Sequence, residues 1–552
     1  MMRVRIFIVV LIMVSCSKKD DTTVSPGADS FSYQLITING LPIQPFKGIS
    51  VQPTISVKFS APLNRNSVAG KINLSTISGP DIAVNLNFAS NDSMVLLSPQ
   101  SRLDYLTHYK IKLDASLTST SGATFNNPSE ISFYTSLDSS RKFPAISDSA
   151  LLDLVQQQTL KYFYDFGHPV SGLSRERNTS GDLVTSGGSG FGIMAMIVGA
   201  HRNFITRAQF LSQMQTIVAF LKNTAQTFKG AYPHWLNGST GVVIPFSAND
   251  NGADLVETSY LIQGLLCARQ YFNGTDAAET ALRADINFIY NRVEWNWFKQ
   301  PSENVLTWHW SPSLGFIINL KIRGWNECLI TYLLARSSST YPISNSVYQQ
   351  GWTSNGSTGF INGNIYYGYQ LPLGPGFGGP LFFEHYSFMG INPAELKDSY
   401  ADYAKQTKNH TLINYNYCKS NPQNYYGYSD SVWGLTASDI PGGYSASSPT
   451  NDLGVIAPTA ALSSFPYTPT ESMKALKFYY YVLGDKLFKQ YGFVDAFKLE
   501  EPWFADSYLA IDQGPIIVMI ENYRSGLLWN LFTSCPEIKT AMLALGFNAP
   551  YL

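Results

Sequence analysis

Three acidic side chains lie where the 552-residue sequence changes from polar loop to apolar segment. Asp254 and Glu257 flank the start of the apolar run 255–266, and a spacing of three places both on one face of a helix. Glu327 opens a second apolar run, 328–334. Two carboxyl groups can cleave a glycosidic bond with inversion, because one protonates the leaving oxygen while the other activates water. These three residues are therefore catalytic candidates.

Each of these acids also has a simpler explanation, which the sequence leaves open. Acidic residues in the first turn of a helix accept hydrogen bonds from free N–H groups and complement the helix dipole, and this applies to Asp254 and Glu257. Burial would raise the pKa of Glu327, as a general acid requires, whereas Arg323 and the helix N-terminus would lower it. Asp512 has the residue type of an N-cap with a proline in the next turn, and it is a further catalytic candidate.

Arginine and tryptophan residues near these loops suit a neutral ligand that is rich in hydroxyl groups. Arg175 and Arg177 could bind sugar hydroxyls or hold a catalytic carboxylate, and a salt bridge with Glu176 is an equally good explanation. Tryptophan rings stack on sugars, although a single tryptophan is more often part of a core. The candidate substrate-binding residues are Arg175, Arg177, Trp308, Trp325, Glu384, His385, Trp433 and Asp439.

Several other kinds of site are missing from the sequence. It contains no H-E-x-x-H motif, and no G-x-S-x-G motif. The glycine-rich stretch 374–379 lacks the Lys-Ser/Thr pair of a phosphate-binding loop, and the Asp-Asn-Gly at 250–252 lacks the downstream glutamate of a calcium loop. We therefore predict no metal and no cofactor.

The composition indicates a folded protein with a large core. Hydrophobic residues make up 45% and charged residues only 14%, which excludes disorder as the main state. Lys and Arg total 38 against 39 Asp and Glu, a balance that makes nucleic acid an improbable partner. Four widely spaced cysteines are predicted to be buried free thiols, with distant disulfides left open: Cys267, Cys328, Cys418 and Cys535.

The elements that must position these residues follow a helical pattern from about residue 148. Segments that are apolar on every side alternate with segments that are apolar on one face, as expected for buried and half-exposed helices. The buried ones begin near Gly190, Gly252, Gly324, Gly379, Gly454 and Gly514. The amphipathic ones cover 207–225, 275–293, 394–412 and 468–490, with a weak one near 343–350.

Six such helix pairs predict an all-α (α/α)6 toroid over residues 148–552, and an irregular all-α domain is the alternative. In a toroid the loops before the inner helices meet at one rim. Residues that are distant in sequence would then share one cleft.

Residues 31–138 have a different pattern of short alternating segments separated by turn residues, such as 55–59, 84–88 and 109–113. That spacing predicts an all-β sandwich. The stretches 59–63 and 103–109 resemble bacterial immunoglobulin-like (Ig-like) domains. Because this region holds no catalytic constellation, we expect it to be a spacer rather than a separate binding domain.

The first thirty residues have the features of an export signal. Arg3 and Arg5 precede an apolar run, 6–14, that is too short to span a bilayer. Ser15-Cys16 resembles a lipobox, which predicts a signal peptide at 1–15, lipidation of Cys16 and a flexible leader at 16–30. A secretion signal with an incidental cysteine is the alternative. We expect a monomer in the cell envelope, anchored by lipid to the outer membrane.

Several motifs occur in order between about residues 148 and 546, namely Phe166-Gly167-His168-Pro169, Gly172-Leu173-Ser174-Arg175-Glu176-Arg177, Gly190-Phe191-Gly192, Asp254-Leu255-Val256-Glu257, Gly324-Trp325-Asn326-Glu327 and Phe383-Glu384-His385-Tyr386-Ser387. They resemble the glucoamylase-like proteins of glycoside hydrolase family 144, although Ser174 replaces a commoner alanine. The resemblance implies an (α/α)6 fold and inverting hydrolysis of β-1,2-glucan. It also implies that Glu327 is the leading acid, with Asp254 and Glu257 lining the reacting subsite. It does not identify the base, and Asp512 is carried over only as a guess.

The sequence therefore predicts a lipid-anchored glycoside hydrolase with an Ig-like spacer and a helical toroid, acting on a neutral β-glucan. It does not decide between endo and exo action. One alternative is a non-catalytic glycan-binding lipoprotein that uses the same aromatic residues. Another is an (α/α) polysaccharide lyase, against which the neutral net charge is a mild argument.

Overall fold

The structure is a computed structural model, and it describes residues 31–42, 45–357 and 359–552. The chain divides into two compact units, Met1–Ser136 and Leu137–Leu552. The predicted signal peptide and leader, with Cys16, lie outside the described residues. Among the residues that are described, every helix is too short or too polar to cross a membrane.

The first unit is the predicted β-sandwich. Its strands are β1 (Tyr33–Ile38), β2 (Phe46–Ile49), β3 (Ile55–Phe59), β4 (Ile72–Thr76), β5 (Asp81–Ile82), β6 (Val84–Ala89), β7 (Met94–Pro99), β8 (His108–Leu113) and β9 (Ser129–Thr135). One sheet has the order β1-β3-β7-β6 and the other β2-β9-β8-β4-β5, with only β2 and β9 pairing in parallel. Strand β3 explains the arrangement, because Ile55, Val57 and Phe59 are buried between the sheets while Lys58 is exposed.

The second unit is helical. Its helices are α1 (Asp148–Tyr164), α2 (Ser186–His201), α3 (Arg207–Asn223), α4 (Leu255–Tyr271), α5 (Ala277–Asn291), α6 (Leu329–Ser337), α7 (Tyr403–Ser420), α8 (Pro458–Leu462), α9 (Pro469–Tyr481), α10 (Gly484–Leu487), α11 (Ala510–Ser525), α12 (Leu527–Thr533) and α13 (Pro536–Ala544).

Short strands lie in the loops between these helices. They are β10 (Leu183–Thr185), β11 (Trp235–Asn237), β12 (Val243–Ile244), β13 (Ala253–Asp254), β14 (His309–Trp310), β15 (Ile365–Tyr366), β16 (Tyr369–Gln370), β17 (Ala437–Ile440), β18 (Gly443–Ala446), β19 (Phe488–Lys489), β20 (Gly492–Phe493), β21 (Phe497–Lys498) and β22 (Trp503–Phe504).

The predicted alternation of buried and half-exposed helices is confirmed. Helices α2, α4 and α11 are buried along most of their length, whereas α3 and α5 bury one face. Helices α2 and α4 pack very closely, because a Cβ at Gly190 would lie 2.0 Å from the carbonyl oxygen of Tyr260. Glycine at this position is therefore required by the backbone contact.

Two of the predicted segments differ from regular helices. The fourth buried segment consists of the 3-10 turns Leu381–Glu384 and Ser387–Met389, preceded by Gly379 with φ +84° and by Pro380. The weak segment near 343–350 is a single π-helical turn, Val347–Trp352.

The predicted segment 394–412 begins too early. Asp398 accepts hydrogen bonds from the backbone N–H groups of Tyr400 and Ala401 and closes a turn there, so α7 starts only after its own N-cap, Asp402. The four predicted free thiols are confirmed as buried and unpaired: Cys267, Cys328, Cys418 and Cys535.

Candidate active site

The start of α4 is held by a short two-stranded ribbon. Asp254 in β13 pairs with His309 in β14. The N–H of Asp254 donates to the carbonyl of Tyr232, and the N–H of Leu255 donates to that of Trp308. These backbone bonds place two histidine-bearing loops, 232–235 and 308–310, against the first residue of the helix.

Asp254 is both a helix cap and the centre of a charge network. Its Oδ1 accepts hydrogen bonds from the N–H groups of Val256 (3.0 Å) and Glu257 (2.9 Å), so the cap explanation is correct. Its Oδ2 lies 3.3 Å from Nδ1 of His234 and 3.6 Å from Nε2 of His309. The capping explanation therefore accounts for only one of the two oxygens.

The protonation states around Asp254 follow from these contacts. Burial raises the pKa of Asp254, but the hydrogen bond from His234 and the charge of His309 outweigh burial, and the net pKa lies below the ordinary value. Burial lowers the pKa of His234, but the charges of Glu257 and Asp254 raise it to about 9. Asp254 is therefore an anion facing a protonated His234 at neutral pH.

Asp250 extends this network on the solvent side. Ligand atoms of His234, Asp250 and Asp254 lie within 4.8 Å of one another, a spacing that would accommodate a metal ion. Nε2 of His309 lies 3.6 Å from Oδ2 of Asp250. Because the protonated His234 already supplies an opposing charge beside Asp254, we assign no metal to this cluster.

Glu257 joins the starts of α4 and α2. Its Oε2 accepts hydrogen bonds from Oγ1 of Thr185 (3.1 Å) and from the N–H of Gly187 (2.8 Å). A Cβ at Gly187 would lie 2.5 Å from this oxygen, so only glycine permits the contact. Burial raises the pKa of Glu257, and the nearby charge of Asp254 adds to the increase.

Glu327 precedes α6 and is half-buried. Burial raises its pKa to about 7, and the charges of Glu257 and Asp254 contribute in the same direction. Arg323, which we expected to oppose this increase, is exposed to solvent. The carboxyl of Glu327 therefore retains its proton up to near-neutral pH, as a general acid requires.

The carboxyl groups of α4, of α11 and of the loop before α6 converge on a pair of tyrosines. The ring centroids of Tyr260 and Tyr386 lie 5.6 Å apart. The charges of Glu257 and Glu327 raise the pKa of both hydroxyl groups, after burial, and the charge of Asp512 also raises that of Tyr386. Acidic residues that are distant in sequence therefore lie near enough in the structure for their charges to interact.

Asp512 lies in the first turn of α11, and its expected role as the N-cap is wrong. The N-cap is Leu509, whose apolar side chain cannot accept a hydrogen bond, and its backbone pairs with that of Arg177 in a β-bridge. Asp512 is only 2% exposed and faces Asp495, another buried carboxyl. The position of Asp512 in the sequence does not show whether it caps the helix or lies inside the first turn and faces another carboxyl.

Arg177 holds a carboxylate, one of the two roles proposed for it. Its Nη1 donates to Oδ2 of Asp439 at 3.1 Å and its Nε to Oε2 of Glu176 at 2.9 Å. Oγ of Ser507 donates to Asp439 as well. Both the ion pair with Glu176 and the contact with a distant carboxylate are therefore present.

A cavity of about 330 Å³ lies beside His234 and Arg177, which contact Asp254 and Asp439 respectively. It is lined by Glu176, Arg177, Thr185, His234, Trp235, Phe246, Tyr444, Leu509 and Ile511. A second hollow of about 460 Å³ shares Arg177 and Tyr444 with it and includes Asp439 and Trp503. These volumes suit small-molecule binding. A further cavity, about 780 Å³ beside Arg202 and Arg524, is lined by none of the predicted site residues.

Four predicted substrate-binding residues are part of the packed interior instead. Oε1 of Glu384 accepts hydrogen bonds from Trp325 (2.9 Å), Gln406 (2.8 Å) and His410 (2.9 Å). His385 contacts Oγ of Ser464, and burial lowers its pKa to about 3. Trp433 is completely buried, so it offers no face to a sugar. The expectations for Trp325, Glu384, His385 and Trp433 are therefore corrected.

Two further predicted residues lie in supporting positions. Arg175 donates to the carbonyls of Phe166 (2.6 Å) and Gly181 (2.7 Å), so it braces its own loop rather than the cavity. Trp308 is half-buried, and its ring stacks beside that of His309 at 5.6 Å. Arg175 is thus corrected, whereas Trp308 stays a candidate next to the charge network.

We expect Glu384→Ala to destabilise the fold by about 3–5 kcal/mol, because it leaves three buried donors without an acceptor. Denaturant unfolding measures this loss. The matched variant Glu501→Ala removes an exposed carboxyl that pairs with Lys498 and should change stability little. Equal stability of the two variants would contradict a structural role for Glu384.

Several residues that build the site were not predicted from the sequence. Asp495 carries a detectable signal, since it is the one acid in the apolar stretch 493–497. His309 lies between two tryptophans, and Tyr386 lies inside a motif whose other members drew attention. His234 has no such signal, because its role depends on the backbone bonds that bring residues 232–235 to α4.

The chain matches two family models. Residues 319–536 match the glycoamylase model, described as "Putative glucoamylase", and residues 41–135 match the bacterial Ig-like domain. An exo β-1,2-glucooligosaccharide sophorohydrolase of Parabacteroides distasonis is 44% identical over 415 residues. That alignment covers 71% of this chain and 57% of the relative, so it spans little more than half of the relative's length.

Solved structures give the same result. The endo-β-1,2-glucanase of Chitinophaga pinensis, solved with sophorotriose and glucose, is 49% identical with a TM-score of 0.72, over 74% of this chain and 100% of that one. A β-1,2-glucanase of Parabacteroides distasonis is 36% identical with a TM-score of 0.71, over 94% of this chain and 73% of that one. This chain therefore belongs to the glucoamylase-like proteins of glycoside hydrolase family 144, with a bacterial Ig-like domain before the helical domain.

Proposed function

We propose that this protein hydrolyses β-1,2-glucan with inversion of the anomeric carbon. The proposal rests on the grouping of Asp254, Glu257 and Glu327, whose charges interact although Glu327 is distant in sequence from the other two, and on the opposite protonation states expected for Glu327 and Asp254. Glu327 stays neutral to about pH 7, whereas Asp254 is ionised. An inverting glycosidase needs one neutral and one ionised carboxyl. The relatives that act on β-1,2-glucan supply the substrate class.

Glu327 donates its proton to the glycosidic oxygen as the bond from that oxygen to the anomeric carbon breaks. A water molecule attacks the same carbon from the opposite face, and its proton passes to a carboxylate. We assign that acceptor role to Asp512, because both oxygens of Asp254 are already engaged by backbone N–H groups and imidazoles. Asp254 then serves as a fixed negative charge beside the forming oxocarbenium ion.

The proposal is tested by incubating the protein with linear β-1,2-glucan and following product anomers by proton NMR. Release of reducing ends as the α-anomer supports it, with β-1,3-glucan as the negative control. Binding without new reducing ends would favour the non-catalytic glycan-binding alternative. Unsaturated products that absorb ultraviolet light, formed from a uronic acid polymer, would favour the lyase.

The same experiment decides between endo and exo action, since the relatives include both kinds. Sophorose as the sole early product from glucans of defined length indicates exo cleavage. A ladder of intermediate lengths indicates endo cleavage.

We expect Tyr444→Ala to raise KM about tenfold and to leave kcat nearly unchanged. Tyr444 is 50% exposed at the rim shared by the two cavities, so covering its ring with a sugar would contribute about 1–2 kcal/mol to binding. Initial rates on β-1,2-glucan measure the effect. The control Tyr367→Ala removes a similarly exposed ring outside both cavities. An unchanged KM in Tyr444→Ala would argue against sugar stacking there.

We also propose that Cys16 is lipidated and that the protein acts as a monomer at the outer membrane. The support is the lipobox-like sequence, together with a candidate site built from one chain. Fractionation of cells that express the wild type and Cys16→Ser tests the anchor. The anchor is contradicted if both proteins stay with the membranes, and sedimentation of the soluble variant measures its mass.

A further inference from the structure

Two buried aspartates face each other near Asp439, and each has one carboxyl oxygen that receives no hydrogen bond within the described residues. Asp495 lies between β20 and β21, and Asp512 lies in α11; each is 2% exposed. Oδ1 of Asp495 and Oδ2 of Asp512 are buried, and neither receives a hydrogen bond from a donor in the described residues. The side chains nevertheless interact directly through their carboxyl groups. Two ionised carboxylates cannot hydrogen-bond to each other, so this direct interaction needs a proton on one of the two side chains.

In the described part of the chain, the cation that acts on the pair is Arg177, which also has two other acidic partners. Oδ2 of Asp495 accepts a hydrogen bond of 2.7 Å from the N–H of Asp439, which orients it. The charges that act on the pair come from Asp439, Glu176 and Arg177.

Arg177 is already paired with both of the neighbouring acids, Asp439 and Glu176. The other titratable groups facing Asp512 are the hydroxyls of Tyr386 and Tyr444, which are uncharged at neutral pH. Ionising Asp495 and Asp512 together would therefore place two adjacent charges in a buried site with no free counter-charge.

We propose that Asp495 is a positioning residue for Asp512, and that the two side chains share one proton between Oδ1 of Asp495 and Oδ2 of Asp512. The shared proton fixes the Asp512 carboxyl while leaving a single negative charge on the pair. The inference that a proton is shared rests on the contact between the two buried carboxyl groups. Only the use of that proton in catalysis rests on the proposed function.

In the proposed reaction this pair accepts the proton of the attacking water. The water oxygen forms its bond to the anomeric carbon, its proton moves to Asp512, and the pair becomes neutral. The proton returns to solvent after the product leaves. Burial raises the pKa of Asp495 to about 7 and that of Asp512 well above its ordinary value, in keeping with a proton that is retained at neutral pH.

The first test measures the pH dependence of stability and needs no substrate. Both folded-state pKa values lie above the value of about 4 in the unfolded chain, so the pair stabilises the fold at low pH and loses this contribution as pH rises toward 7. We expect the Tm of the wild type to fall relative to that of Asp495→Asn between pH 5 and pH 8. Asp485→Asn, at an exposed residue paired with Lys486, should follow the wild type.

The second test separates positioning from packing. Asparagine keeps an N–H donor toward Asp512, so Asp495→Asn should retain kcat within about tenfold, whereas Asp495→Ala should lose at least about a hundredfold with little change in KM. Equal losses of kcat in the two variants would overturn the positioning role.

The two tests also distinguish failure of this inference from failure of the proposed function. A Tm difference between wild type and Asp495→Asn that is constant from pH 5 to pH 8 overturns the shared proton, whatever the activity. If the wild type releases no reducing ends from β-1,2-glucan, the proposed function fails while the Tm comparison still decides whether the proton is shared.

Discussion

Glu327→Gln is expected to lower kcat on β-1,2-glucan at least about a thousandfold while leaving the fold intact. Glutamine keeps the shape and polarity of the side chain but has no acidic proton to transfer. General acids typically contribute about 10²–10⁴-fold, so the estimate of about 10³ lies within that range. The fold is preserved because the carboxyl of Glu327 caps no helix; the N-cap of α6 is Cys328. Initial rates and a thermal melt measure the two parts of this expectation.

The pH profile adds an independent test of the same role. A proton donor is active only while protonated, so the rate of the wild type should fall as pH rises through about 7, the pKa of Glu327. The residual activity of Glu327→Gln should lack that decline. An activity above about a tenth of wild type, or an unchanged alkaline limb, would remove Glu327 from the acid role. Glu501→Gln, at an exposed glutamate paired with Lys498, is the matched control.

The fold could be predicted from the sequence because burial imposes a regular spacing of apolar residues on every helix. Segments apolar on all sides correctly marked α2, α4 and α11. The predicted helices are wrong where local contacts change the backbone despite a helical spacing of apolar residues. Asp398 closes a turn before α7, and two 3-10 turns replace the fourth inner helix. A pattern of hydrophobicity does not contain such contacts.

The site was only partly predictable, since residues of the same type in similar contexts have opposite roles. Glu327 and Glu384 both lie near the start of a buried segment, in loops with aromatic neighbours. Glu384 accepts hydrogen bonds from three donors elsewhere in the chain and becomes structural. In Glu327, burial outweighs the hydrogen bonds from its own backbone and from Cys328, so its pKa stays raised. The difference comes from tertiary partners such as Gln406 and His410, whose positions no local motif specifies.

Asp254→Asn is expected to reduce kcat by several orders of magnitude with only a small change in stability. Asparagine is as good an N-cap as aspartate, so the bonds from the N–H groups of Val256 and Glu257 are kept. The negative charge that faces His234 and His309 is lost. Without it, the pKa of His234 should fall from about 9 toward its ordinary value, and the hollow loses a fixed anion beside the developing positive charge.

The catalytic and capping roles of Asp254 separate cleanly, because the chain offers the same substitution at a cap far from this chemistry. Asp276 is the exposed N-cap of α5, and its side chain accepts a hydrogen bond from the N–H of Glu279. We expect Asp276→Asn to match Asp254→Asn in the shift of Tm and to keep full activity. Normal turnover by Asp254→Asn would mean that this aspartate only caps α4, and that the anion required for the reaction must be sought in the Asp495–Asp512 pair alone.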